Sequence, residues 1–302
     1  MASPNLKWQS QAVLLAVLPA AAVDLVLQSF RWAANAPVIA ITALGLSALL
    51  GLVAWKLHSA TPAGAATGFL LTASLMLATS RTDSLPWQTA LVPVFAVLVL
   101  ASLTTHLGRA RKERLGTAEP RTGRVAAQVA ANIGAATLLS TQAVQLWMAD
   151  SGRFSASGWT VGLLYAPMLA ALSEAAADTV SSELGQLLDS RPRMITTLRL
   201  APPGADGAIS PGGTAAGVLA AGIVASAGTL ALRGGLLLFI FSWIGGVFGL
   251  LFDSLLGATL ERRGWLNNDA VNFLSTLSSA ACALLLLALA PRIGLLEVSD
   301  RL

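Results

Sequence analysis

GGLLLFIFSWIGGVFGLLFDSLLGA, residues 234–258, decides the fold. One carboxylate, Asp253, interrupts it. Its length is about the ~20 residues a helix needs to cross the hydrocarbon core of a bilayer. Eight more apolar stretches of similar length flank it, at roughly 11–30, 37–55, 62–80, 86–105, 125–149, 157–177, 211–232 and 270–290. Their few charges are Asp24, Glu174 and, at the end of the sixth, Asp178. The pattern predicts an all-α polytopic transmembrane bundle of about nine helices. It forms a single integral-membrane domain over residues 1–302.

Composition agrees. The chain is 55% hydrophobic and 11% charged, against about 25% charged in an ordinary soluble domain. Mean hydropathy is +0.70. A lone cysteine, Cys282, allows no disulfide within the chain and no cysteine-based metal site. His58 and His106 are too far apart in sequence to suggest zinc. Lys7 precedes the first apolar run without an obvious small-residue cleavage site, so 11–30 is read as a membrane helix.

Basic residues set the expected orientation. With nine helices and a cytoplasmic N-terminus, 13 of the 19 Lys and Arg fall on the cytoplasmic side. They are Lys7, Lys56, a cluster from Arg109 to Arg124, Arg191, Arg193, Arg199, Arg262 and Arg263. Retention of positive charge in the cytoplasm favours this arrangement. Arg109 to Arg114 read as a topology signal that also attracts anionic headgroups. Nucleic acid is not an expected partner, because no soluble domain carries the charge.

Three polar segments then share one side. At the start of the fifth stretch, Arg121, Arg124, Gln128 and Asn132 fall within roughly an 80° arc of a helix. Facing lipid, the two amides would go unsatisfied, so they must face other helices or a wet cavity. At the end of the sixth, Glu174, Asp178, Ser181 and Gly185 share a face, while Glu183 lies off it in a regular helix. Two carboxylates one turn apart repel unless a proton or cation lies between them. Mg²⁺, which prefers hard oxygen ligands, suits such a pair. The following loop carries Arg191, Arg193, Thr196, Thr197 and Arg199, then Gly204, Asp206, Gly207, Ser210 and Gly213 before a helix. Guanidinium forks, glycine backbone and a helix N-terminus all suit phosphate. The third segment runs from Asp253 through Asn268, Asp269 and Asn272. Gly245, Gly249, Asp253 and Gly257 recur at i, i+4, a ridge against which another helix can pack closely. One of Asn267 and Asn268 is expected to cap the last helix.

Together these motifs identify a resemblance. Ala177-Asp178-Thr179 with Ser182-Glu183-Leu184-Gly185, Pro192-Arg193 with Ile195-Thr196-Thr197, Pro203-Gly204 with Asp206-Gly207, Asp253 to Ala258, and Asn268-Asp269 with Val271-Asn272 closely resemble the integral-membrane phytyl-phosphate kinase family. The resemblance spans about residues 60–285. That family is itself distantly similar to CTP-dependent polyprenol kinases and phosphatidate cytidylyltransferases. The resemblance implies γ-phosphoryl transfer from a nucleoside triphosphate, CTP above all, to a prenyl monophosphate such as phytyl, geranylgeranyl or farnesyl phosphate. On it, Asp178, Glu183 and Asp253 would hold Mg²⁺. Arg193, Thr196, Thr197, Arg199, the 204–213 loop, Asn268, Asp269 and Asn272 would bind nucleotide phosphates. Arg121, Arg124, Gln128 and Asn132 would bind the acceptor.

Two other classes fit a polar membrane protein: a liponucleotide-forming cytidylyltransferase and a transporter. Clustering of polar residues toward one side, not mid-depth, argues against the transporter. The orientation has a direct check. Gly116→Cys and Ala205→Cys should resist a membrane-impermeant thiol reagent added outside intact cells. Ready labelling at both positions would reverse the topology.

Overall fold

Proline and short polar side chains set several helix starts. Pro37, Pro62 and Pro211 stand in the first turns of their helices, where a missing N–H costs nothing. Thr61, Ser210 and Asn267 cap three helices by accepting from the N–H groups of Gly64, Gly213 and Ala270. The computed structural model describes residues 6–150, 161–188 and 191–290. Residues 157–160 of the sixth apolar stretch, Arg153, Arg292, Arg301 and the C-terminus lie outside them.

The helices are α1 (Lys7–Asn35), α2 (Pro37–Lys56), α3 (Pro62–Thr79), α4 (Leu91–His106), α5 (Arg109–Leu115), α6 (Ala126–Ser140), α7 (Gln142–Asp150), α8 (Ala166–Leu188), α9 (Pro211–Ala231), α10 (Leu236–Leu256) and α11 (Asn268–Leu289). A 3₁₀ turn, Val161–Tyr165, leads into α8, and a π-helical turn, Gly257–Glu261, extends α10. Between α8 and α9, β1 (Arg193–Met194) pairs antiparallel with β2 (Ala208–Ile209). The fold is all-α and polytopic. Helix forms in all nine apolar stretches. Among the described residues, six helices are long and apolar enough to cross a membrane, or seven if α4 and α5, bent by 67°, make one span. α6 is short, and α8 carries Glu174, Asp178 and Glu183.

α8 is the axis. Every residue from 166 to 177 is buried, and all-round burial marks a helix surrounded by others. It packs against α4, α6, α9, α10 and α11. Glycines on the neighbours admit this. A Cβ on Gly249 of α10 would sit 2.5 Å from Glu174 Cγ and 2.7 Å from Ser279 Cβ, and one on Gly217 of α9 would sit 2.8 Å from Ala177 O. The Gly245–Gly249–Asp253–Gly257 ridge therefore packs closely, as its spacing predicts.

The fifth stretch, expected as one helix, is broken. Thr141 leaves helical geometry (ψ 145°), and α7 begins afresh. Asp24 of α1 lies at that break. Its Oδ1 accepts from the Gln142 N–H (3.1 Å) and its Oδ2 from the Ser74 hydroxyl (2.8 Å). An apparently stray membrane carboxylate thus supplies an N-terminal acceptor for a helix far along the chain.

Gly249→Ala should destabilise the bundle by about 1–3 kcal/mol through overpacking. Gly222→Ala, whose Cβ would have ordinary contact with Trp243 at 3.5 Å, should stay within about 0.5 kcal/mol of wild type. Thermal unfolding in detergent reads both.

Candidate functional site

The three polar segments meet at one end of the bundle. The start of α6, the second half of α8, the 203–210 part of the loop, the end of α10 and the start of α11 enclose a cleft of about 240 Å³. Arg124, Gln128 and Asn132 line one wall, and Asp178 with Thr179 stands on another. Asp253, Ser254 and Gly257 face them from α10, with Asn268 and Asn272 from α11. Gly204, Asp206, Gly207 and Ser210 close the cleft from the loop side.

α6 presents its amides as its stripe requires. Gln128 Oε1 accepts from the Val125 N–H (2.9 Å), and Asn132 Nδ2 donates to Gln128 O (2.7 Å). Arg124 Nη2 donates to Thr179 Oγ1 (3.3 Å), tying α6 to α8. Arg121 turns outward and pairs with Glu113 (2.9 Å). Hydrogen bonds from Arg121 and Arg109 hold the Glu113 carboxyl below its usual range.

The three carboxylates of α8 meet different surroundings. Asp178 and Asp253 face each other in the cleft. Asp253 Oδ2 is buried with no hydrogen-bond partner among the described residues. Glu174, one turn deeper, is 1% exposed and also leaves one oxygen, Oε1, without a partner among them. Ser275 lies beside both Glu174 and Asp253. Glu183 also borders the cleft but lies off the Asp178 face of the helix, and its carboxylate is taken by another partner. Lys112 Nζ donates to Glu183 Oε2, to Thr104 O (2.6 Å) and to Thr105 O (3.2 Å). The Thr105 hydroxyl donates to Glu183 Oε1 (3.1 Å). Glu183 is thus half of a buried ion pair that anchors α5 to α8.

Several expected residues lie elsewhere. Arg193, Thr196, Thr197 and Arg199 are exposed on the outer side of the hairpin. Arg193 Nη1 donates to Leu198 O (2.8 Å), within that hairpin. Gly213 packs on α8, where a Cβ would meet Ser181 O at 2.8 Å. Asp269 accepts from the Ser10 hydroxyl of α1 (2.6 Å). Gly207 has φ +73°, and a Cβ there would sit 2.2 Å from Ala258 N, so glycine docks the loop on the π-helical turn.

The cleft also holds residues the motifs did not single out. Glu119, Gln186 and Glu261 line it. No spacing in the sequence separates Lys112 from the basic residues beside it; only the fold makes it a buried partner.

Six carboxylates line the cleft against one cation, Arg124, among the described residues. Lys112 neutralises Glu183, and the rest still outnumber Arg124. Such a surface attracts cations, and an anionic ligand must bring its own. Among the described residues, no three His, Cys, Asp or Glu side chains are placed to hold a metal by themselves. Mg²⁺ is bound through one or two carboxylates plus waters and substrate phosphates. The facing Asp178 and Asp253, with a buried oxygen left over, fit that mode.

The family described as integral membrane protein DUF92 matches residues 45–280. The chain belongs to the DUF92 family of integral membrane proteins. An uncharacterised membrane protein of Methanocaldococcus jannaschii is 44% identical over 109 residues, 36% of this chain and 45% of that protein. This chain thus matches less than half the length of that archaeal relative. An uncharacterised membrane protein of Synechocystis is 33% identical over 67% of this chain and 74% of its own. The chloroplastic protein VTE6 of Arabidopsis thaliana is 26% identical over 82% of this chain and 66% of its own. No solved structure matches the chain.

Breaking the buried pair has a defined consequence. Lys112→Met should cost about 3–5 kcal/mol by leaving the Glu183 carboxylate uncompensated, whereas Lys112→Met with Glu183→Met should recover most of it. A double-mutant cycle of thermal stability in detergent checks this; equal losses in the single and double variants would deny the pair.

Proposed function

We propose that this protein is a membrane kinase that transfers the γ-phosphoryl group of a nucleoside triphosphate, CTP by the family resemblance, to a prenyl monophosphate. The observation that carries the reading is the acid-lined cleft built where the α6, α8, α10 and α11 segments converge at one end of a membrane bundle. Similarity to the phytyl-phosphate kinase family and to VTE6 supports it.

The chemistry asks little covalent work of the chain. An oxygen of the acceptor phosphate attacks the γ-phosphorus. The bond from that phosphorus to the β–γ bridging oxygen breaks, and the nucleoside diphosphate leaves with the electron pair. The acceptor is already anionic, so no strong general base is needed, and positioning with charge neutralisation does the catalysis. Asp178 and Asp253 would hold Mg²⁺, which when bound offsets charge on the transferring phosphates. Arg124 orients the acceptor phosphate from the α6 side. Asn268, Asn272 and the loop at 204–207 bound the space for the donor. Glu183, occupied by Lys112, positions α8 rather than meeting the phosphates.

With γ-labelled CTP and geranylgeranyl or phytyl monophosphate, label should appear in the prenyl diphosphate with CDP as co-product. Labelled pyrophosphate with CMP on lipid would instead show a cytidylyltransferase. Asp178→Asn and Asp253→Asn should each lower kcat roughly 10²–10³-fold, the scale set by removing one electrostatic stabiliser, while the protein still inserts. Arg124→Ala should act mainly on KM for the prenyl phosphate. Near-normal turnover in Asp178→Asn would defeat the metal assignment.

A further inference from the structure

A second cavity lies beside the cleft, and the chemistry above does not use it. It measures about 560 Å³ and runs between α2, α3, α4 and α6, within the ~300–1,000 Å³ typical of ligand pockets. Its walls are apolar, with Leu50, Val97, Leu98 and Ile133 among them. Its mouth carries Arg124, His58 and His106, with Glu119 beside them and with Arg109 and Arg121, both paired with Glu113, at the rim. Val94 and Thr72 lie at the far end. Val94 and His106 are ~18 Å apart along α4 at the usual helical rise. Small residues leave the bore open. Gly68 faces it, and a Cβ there would only touch Val129 at 3.9 Å. Ala101 faces it from α4.

The two cavities adjoin. Glu119, Arg124 and Asn132 line both. Arg124 therefore stands where an apolar groove meets an acid-lined cleft, and a phosphate at its guanidinium would project one way into each.

We propose that this groove holds the hydrocarbon tail of a single-chain lipid monophosphate whose head sits at Arg124, with Gly68 and Ala101 setting the bore and Val94 and Thr72 limiting chain length. The proposal rests on the prenyl-phosphate acceptor of the kinase reading but not on catalysis. The Arg124 guanidinium at the shared wall suits an anionic head. A ligand with its head there and its tail in the groove would use both neighbouring spaces.

The test uses the full chain in phosphatidylcholine nanodiscs without nucleotide. The probe is geranylgeranyl monophosphate bearing a diazirine at the tail end. Crosslinks should map to α3 and α4 near Thr72 and Val94. Excess unlabelled geranylgeranyl monophosphate should suppress them; geranylgeraniol and phosphatidic acid should not. Gly68→Phe and Ala101→Phe should shift the affinity ratio of geranylgeranyl to geranyl monophosphate by about tenfold or more toward the short chain, the scale on which a hydrophobic pocket discriminates by methylenes. If either variant fails to insert, Val97→Trp takes its place. Crosslinks on the outer faces of α9 and α10, equal displacement by phosphatidic acid, or an unchanged chain-length ratio would overturn the groove. The two readings separate cleanly. Groove labelling without any nucleotide turnover would leave the tail site standing and remove the kinase; turnover with labelling elsewhere would do the reverse.

Discussion

Burial of α8 on every side is the constraint on which the rest depends. A helix enclosed by five others needs neighbours that come close, and half of α8 over residues 166–177 is alanine. Its neighbours answer with glycine at Gly217, Gly245, Gly246 and Gly249. The same enclosure takes Glu174, Asp178 and Glu183 away from lipid and, in part, away from water. Each must then find a partner inside the protein. Close packing and the polar cleft are thus one design: the helix that glues the bundle together also delivers its carboxylates.

Their partners show how that constraint is met. Glu183 receives a buried ammonium and a threonine hydroxyl, and this pair fixes the bent α4–α5 corner against α8. Asp178 faces Asp253 across the cleft, with Arg124 close enough to act on it electrostatically. Glu174, tight against Gly249, forms no ion pair among the described residues. One carboxylate is settled by structure, while the Asp178–Asp253 pair remains open to a ligand. The division follows helical angle, since Glu183 lies off the Asp178 face.

Much of this was legible in the chain. Apolar length gave the helices, proline and cap residues gave several of their starts, and the segments grouped on one side by topology do converge. The i, i+4 glycine ridge packs as its spacing implies. Long-range partners were not legible. At the break between α6 and α7 the Gln142 N–H is met by Asp24, 118 residues away. Asp269 looked like part of a ligand motif but serves to tie α11 to α1 through Ser10. Arg193 and Arg199 were expected at phosphate because they share a loop with Gly204 and Gly207. The β1–β2 pairing turns that half of the loop outward and leaves its glycines against the π-helical turn. A short two-residue ladder carries almost no sequence signal, so the side on which each arginine falls could not be read.

Position along the bundle axis gives the cleft its chemistry. An acid-lined space open only to water would attract metal ions, and an apolar groove alone would attract any hydrocarbon. Side by side at Arg124 and Asn132, they would suit, on the proposed reading, a molecule with both an apolar body and a charged head. Arg124 is suited to the junction because a guanidinium presents a planar fork of donors and is weakly hydrated for a cation. Its bond to Thr179 holds it against α8, one residue from Asp178. On the proposed kinase reading, an acceptor phosphate placed there would lie between a fixed cation and a carboxylate pair that needs one. The pair would then receive a donor's phosphates only with an accompanying cation. On that reading the order of charges, rather than any single nucleophile, would organise the site.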